Sequence, residues 1–177
     1  LRLSDQLGKL PSENWDLIIH VGPLQDSSLK MNTLEENRRV LCAAPDYLDR
    51  RGKPEHPKVL VDYHCPAIRE DNEDVTLWRF QKHQQGRKGQ KHEIRIKPSL
   101  ACNDGEAAKQ WALSGKGILL RSEWSVREDL KAGRLIEILP DWSSPDAPIV
   151  ALTRGPSTRT AKLQALISFL RDEFTDR

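Results

Sequence analysis

Apolar positions along this chain come in short runs whose spacing switches between the period of two of a strand and the three-to-four of a helix. Over residues 15–22 (WDLIIHVG), Trp15, Leu17, Ile19 and Val21 fall on one face and Ile18 on the other, which predicts an interior strand buried on both sides. Residues 1–5 alternate more weakly and predict a short strand. Next, Arg39–Ala43 predicts a second extended piece, and Pro45 suits the first turn of a short helix ending near Gly52. Residues 52–59 are a Pro-bearing connector, and CPAIRE over 65–70 is extended again. Leu77, Trp78 and Phe80 open a further strand, and Ile94 and Ile96 alternate at the end of its hairpin partner. Lys82, Arg87, Lys88, Lys91, Arg95 and Lys97 give that hairpin a solvated basic loop, and its aromatic residues are expected to pack rather than to stack on a ligand.

The strongest local grammar lies over 99–124 (SLACNDGEAAKQWALSGKGILLRSEW). An extended piece over 100–102 meets Asn103, whose side chain can cap a helix while Glu106 reaches back to close a capping box. Ala107, Ala108, Trp111 and Ala112 then share a helical face, and Gly115 suits a left-handed end. Gly117 leads into Ile118, Leu119 and Leu120, a buried strand. Strand, helix, strand units on a parallel sheet place the helix N-terminus where backbone N–H groups and the helix dipole attract anions. Asn103, Asp104 and Gly105 would rim such a site, or Asn103 merely caps and the glycines merely end the helix.

Downstream, Ser125 and Glu128 form an S-x-x-E capping box for a short helix carrying Val126 and Leu130 and ended by Gly133. Residues 135–139 predict a buried strand, and 140–148, with three prolines, predict a return linker. A strand over 149–152 follows, then a docking helix striped by Leu163, Leu166, Ile167, Leu170 and Phe174. Strands alternating with helices imply an α/β fold.

Composition narrows the class. In 177 residues, 37% are hydrophobic and 31% charged, and no apolar run nears the roughly 18 residues of a membrane span. The first residues lack the basic and apolar regions of a signal peptide. A net charge of +2 gives no footprint for nucleic acid. Cys42, Cys65 and Cys102 are odd in number and set among apolar residues, as expected of buried reduced thiols in a cytosolic protein. His56, His64 and Cys65 match no metal-ligand spacing, and His20 lacks a nucleophile partner, so neither a metal nor a catalytic residue is expected.

WDLIIHVGP, NRRVLCAAPDYL, the 99–124 stretch and LKAGRLIEILPDW, in that order and spacing, resemble the effector-binding domain of LysR-type transcriptional regulators, from Leu1 to about Phe174. His20 stands where the family commonly has Arg. The resemblance implies a two-lobed fold of the type 2 periplasmic-binding-protein kind with a double hinge. Lobe I would comprise residues 1–65 and 145–177, and lobe II residues 66–144. It further implies a small-molecule effector, often an organic anion, in the cleft between lobes, and no cofactor. Ligand positions carried over by motif are Gly22, Pro23 and Leu24, then Asn103, Asp104 and Gly105, then Arg121 and Ser122. Arg121 would face a carboxylate, which a guanidinium pairs in bidentate fashion, or else form a surface ion pair.

In the family, DNA is bound through a separate N-terminal helix-turn-helix domain, and the full cytoplasmic protein is a homodimer or homotetramer. The resemblance implies that this domain, and the first strand and helix of the effector domain, would lie upstream of Leu1, so lobe I is expected to be incomplete as given. The helix over 104–114 is the remaining element for an antiparallel dimer. The alternative from a different class is a free-standing solute-binding receptor of a transport system, since one fold serves both.

Overall fold

The short apolar runs resolve, among the described residues, into eleven strands and four α-helices. The computed structural model describes residues 15–22, 29–69, 75–83, 89–154 and 160–175. The predicted strand over 1–5, and Pro23 and Leu24, lie outside the described residues. The strands are β1 (Ile18–Val21), β2 (Lys30–Glu35), β3 (Arg39–Ala43), β4 (Ala67–Ile68), β5 (Leu77–Lys82), β6 (Lys91–Arg95), β7 (Ala101–Cys102), β8 (Leu119–Ser122), β9 (Ile136–Ile138), β10 (Trp142–Ser143) and β11 (Ile149–Thr153). The helices are α1 (Pro45–Arg51), α2 (Gly105–Leu113), α3 (Glu123–Lys131) and α4 (Ala161–Thr175), with a 3-10 turn over Pro57–Asp62.

Two compact units divide the described chain, one over 39–145 and one combining 15–38 with 146–175. In the larger unit β3 is central, antiparallel to β8 on one side and β9 on the other. The pleat sends its side chains alternately to two cores. Leu41 and Ala43 join Leu60, Trp78, Phe80, Ile96, Ile118 and Ile138, while Val40 and Cys42 join Ala108, Ala112, Leu119, Val126 and Leu135. Each Leu, Ile, Val or Phe among them contributes about 1.5–3 kcal/mol on full burial. The β5–β6 hairpin packs Trp78 and Phe80 into the first core, which is the packing role expected of them.

In the smaller unit β11 is the middle strand, buried at every position, with β1 and β2 antiparallel on its flanks. From α4, Ile167, Leu170 and Phe174 pack with Leu34, Ile149 and Ala151. Leu166, which the stripe placed with them, is exposed. Among the described residues, the extended run over 15–22 differs from the interior strand expected: β1 is hydrogen-bonded to β11 alone, and Ile19 and Val21 are 45% and 39% exposed. Alternation fixed which residues share a face, but not whether anything covers that face.

The strand, helix, strand unit also differs from expectation. β7 pairs in parallel with β4, whereas β8 pairs antiparallel with β3, so the strands before and after α2 lie in different sheets. The return to the smaller unit falls at 145/146, inside the Pro-rich stretch. The earlier passage falls at 38/39 rather than 65/66, because β3 is sandwiched between β8 and β9 and carries residues 39–65 with it.

Candidate functional site

Helix α2 begins at Gly105, and its cap is Asp104, not Asn103. Asp104 Oδ1 accepts from the backbone N–H of Glu106 at 2.7 Å and of Ala107 at 3.1 Å. A carboxylate outcompetes the neighbouring amide for this place because its full charge sits at the positive end of the helix dipole. Asn103 stays exposed one residue outside. The capping box is not the one expected either: Glu106 turns along the helix to Lys109 Nζ at 2.9 Å and to Gln110 Nε2 at 3.1 Å. Two of the helix's terminal N–H groups are therefore already occupied by the protein's own anion.

Over this end of the helix lies Arg121. It reaches over from β8, where the pleat points it to the α2 side of the sheet with Leu119 and Val40. Its guanidinium occupies the space that a Cβ on Gly105 would take. Its Nε donates to Ser125 Oγ at 3.2 Å. Ser125, read from the sequence as a cap, is thus a support for Arg121: α3 starts two residues earlier, at Glu123, and Glu128 bonds Lys131 instead. The signal missed was the spacing of four between Arg121 and Ser125 across the strand-to-helix junction.

Behind the guanidinium runs a chain of alternating charges. Lys109 Nζ lies 2.9 Å from Glu106 and 4.0 Å from Asp129, and Asp129 meets Arg134 Nε at 2.7 Å. The hydrogen bond from Lys109 holds the Glu106 carboxyl below the ordinary carboxylate range, with the charge of Arg121 adding in the same direction. Asp104 and Glu106 are therefore committed to a cap and an ion pair, an arrangement unsuited to general acid–base work.

Of the expected ligand positions, Asp104, Gly105 and Arg121 come together at this helix start. Ser122, adjacent on β8, faces the opposite side of the sheet with Leu41 and Leu120, and its buried Oγ has no hydrogen-bond partner among the described residues. Gly22 belongs to the smaller unit, buried with a left-handed φ of 111°, and its N–H donates to Pro148 O at 3.1 Å. His20 is half-buried on β1. Burial pushes the Cys42 and Cys65 thiols up to about 12, so both remain protonated and unreactive at neutral pH. Cys102, expected to be buried with them, is half-buried, its Sγ 3.1 Å from Asp104 O.

The family model of the LysR substrate binding domain matches residues 2–175. The Escherichia coli K12 transcriptional activator TtdR is 34% identical over 168 residues, covering 95% of this chain and 52% of that protein. The regulator DmlR of the same strain is 32% identical over 174 residues, covering 98% and 55%. Among solved structures, full-length AphB, a Vibrio cholerae virulence activator of the LysR type, superposes with a TM-score of 0.79 at 25% identity over 98% of this chain and 57% of that one. The regulatory domain of CrgA from Neisseria meningitidis gives 0.72 at 26% identity, over 90% and 75%. The chain spans about half the length of TtdR and DmlR. It belongs to the LysR substrate-binding domain family, with that family's α/β fold of the periplasmic-binding-protein type.

Proposed function

We propose that this chain is the effector-sensing part of a cytoplasmic DNA-binding transcriptional regulator, and that Arg121 receives a carboxylate or similar anionic group of its small-molecule effector. The observation that carries this is the placement of the guanidinium over Gly105 at the start of α2, where no side chain separates the cation from the helix backbone. A half-buried guanidinium pairs a carboxylate through two parallel bonds and attracts it more strongly than a fully solvated one. Binding is read out through the passages at 38/39 and 145/146, which act as paired hinges, and DNA is contacted by a separate helix-turn-helix domain in a dimer or tetramer. The relatives are helix-turn-helix regulators, which favours this reading over a transport receptor or an enzyme.

The test is calorimetric titration of the chain with small carboxylates, amino acids and aromatic acids, on the native sequence and on Arg121→Gln. One class should bind saturably, and the substitution should weaken it by at least tenfold, about 1.4 kcal/mol. Undiminished binding by Arg121→Gln would remove Arg121 from the site.

A further inference from the structure

At the other end of α2 lies a basin that the effector reading does not use. Its volume is about 450 Å³, within the range of small-molecule sites, and its walls include Tyr47, Arg50, Arg51, His64, Ser99 and Lys116. All belong to the larger unit, and no carboxylate lines it. Among the described residues none of its three full cations is ion-paired. Arg50 Nη2 donates to Gly115 O at 3.2 Å and Arg51 Nη2 to Asp62 O at 2.7 Å, and Arg51 also hydrogen bonds to the Tyr47 hydroxyl, which leaves N–H groups to spare on each five-donor fork. Those bonds aim the forks without neutralising them. The bond to Gly115 also places a positive charge on the negative end of the α2 dipole, removing what would repel an anion there. Tyr47 OH accepts the N–H of His64 at 2.9 Å, which fixes the phenol and leaves its own proton to donate. Ser99 adds a second hydroxyl, and Leu100 an apolar contact.

We propose that this basin is a second anion site, distinct from Arg121, for a compact small molecule carrying two or more negative charges on phosphate or carboxylate groups. Three unopposed cations around one concavity repel one another, and a multivalent anion relieves that repulsion where a monovalent one only dilutes it. Guanidinium forks fit both phosphate and carboxylate oxygens, and Lys116 supplies a point charge to either. Helix α2 spans nine residues at about 1.5 Å each, so the basin and Arg121 sit roughly 13 Å apart at its two ends.

The experiment is NMR titration of the full chain with pyrophosphate, inorganic phosphate and citrate, with acetate as the monovalent control. Pyrophosphate or citrate should shift the Gly115 and Lys116 amide resonances saturably, and acetate should not. Lys116→Glu, an exposed position whose side chain makes no hydrogen bond or ion pair among the described residues, should weaken that binding tenfold or more, as should Arg51→Gln. Arg121→Gln should leave it unchanged, which separates this site from the effector site. Saturation by the phosphate compounds alone, or by citrate alone, supports the proposal and fixes the chemistry. The proposal is overturned by the absence of a saturable shift, by full binding in Lys116→Glu, by loss in Arg121→Gln, or by duplex DNA moving these resonances when pyrophosphate and citrate do not.

Discussion

The two ends of α2 are both cationic, yet they are built on opposite plans. At the N-terminal end one guanidinium is packed against backbone at Gly105, held by Ser125 Oγ, and backed by Glu106 and the Lys109–Asp129 pair. At the C-terminal end three cations surround an open basin with no acid among them. The first plan fixes a single charge in place and tempers it. The second leaves several charges untempered and lets a ligand supply the counter-charge. The difference teaches that charge count alone does not describe an anion site: what matters is what the protein has already placed beside each cation.

The most severe test of the C-terminal plan is Gly117→Ala, just past the basin. Gly117 has φ of 156°, and a Cβ there would fall on the backbone oxygen of His64, with Pro66 Cδ 2.7 Å away. Backbone cannot swing aside as a side-chain tip does, and Ile118 N–H must still reach His64 O at 2.8 Å. We expect a loss of about 2–4 kcal/mol by chemical denaturation, the size associated with forced backbone strain and overpacking. A loss below 1 kcal/mol would mean that the His64–Pro66 segment yields.

At the N-terminal end the corresponding change, Gly105→Ala, should separate stability from binding. The atoms a methyl would meet are the tip of Arg121, which can rotate away, and alanine is the better helix former. The melting temperature should hold or rise while effector affinity falls about tenfold, a 1.4 kcal/mol effect. Parallel loss of both would show that the guanidinium is structurally pinned.

The cap offers a third, smaller contrast. Asp104→Ala removes the acceptor of two N–H groups and should cost about 1 kcal/mol, whereas Asn103→Ala should cost less because its side chain is not the cap. Equal losses in thermal denaturation would restore the reading in which Asn103 shares the capping.

These contrasts also mark what the sequence made legible. Arg39–Ala43, Pro45 at the start of α1, Gly52 after it and the left-handed Gly115 all follow from local chemistry, and the structure has each in its expected place. Of the eight positions that the family resemblance carries over in three groups, Asp104, Gly105 and Arg121 lie side by side at the start of α2, and their binding role is the proposal made above. What failed needed knowledge beyond the local window. Asn103 and Asp104 are both good caps, and only the electrostatics of the finished helix chooses between them. Among the described residues, Ile19, Val21 and Leu166 carry a correct face pattern with no cover over it. The passage at 38/39 leaves no local mark, because β3 reads as a strand wherever it pairs and its partners lie 77 to 97 residues downstream. The basin has no local mark for the same reason: Arg50, Arg51 and Lys116 form one wall only where α1 meets the end of α2.

The smallest effect concerns Glu106, whose carboxylate tempers the N-terminal end. Its folded pKa lies below that of the unfolded chain, so between the two values the unfolded state holds the extra proton. The stability it adds is therefore complete above the unfolded value, about pH 4.3, and is lost as pH falls through the folded one. With the Glu106 side chain 59% exposed, solvent screening limits this to about 0.5 kcal/mol or less. Urea midpoints of the native chain and Glu106→Gln, compared at pH 6 and pH 3, should converge as the pH falls. The same substitution removes a negative charge that acts on Arg121, so effector affinity should rise slightly while binding in the basin stays constant. Midpoints that differ equally at both pH values would place the effect in helix propensity rather than in the ion pair, and equal gains at both ends would dissolve the distinction between a tempered and an untempered site.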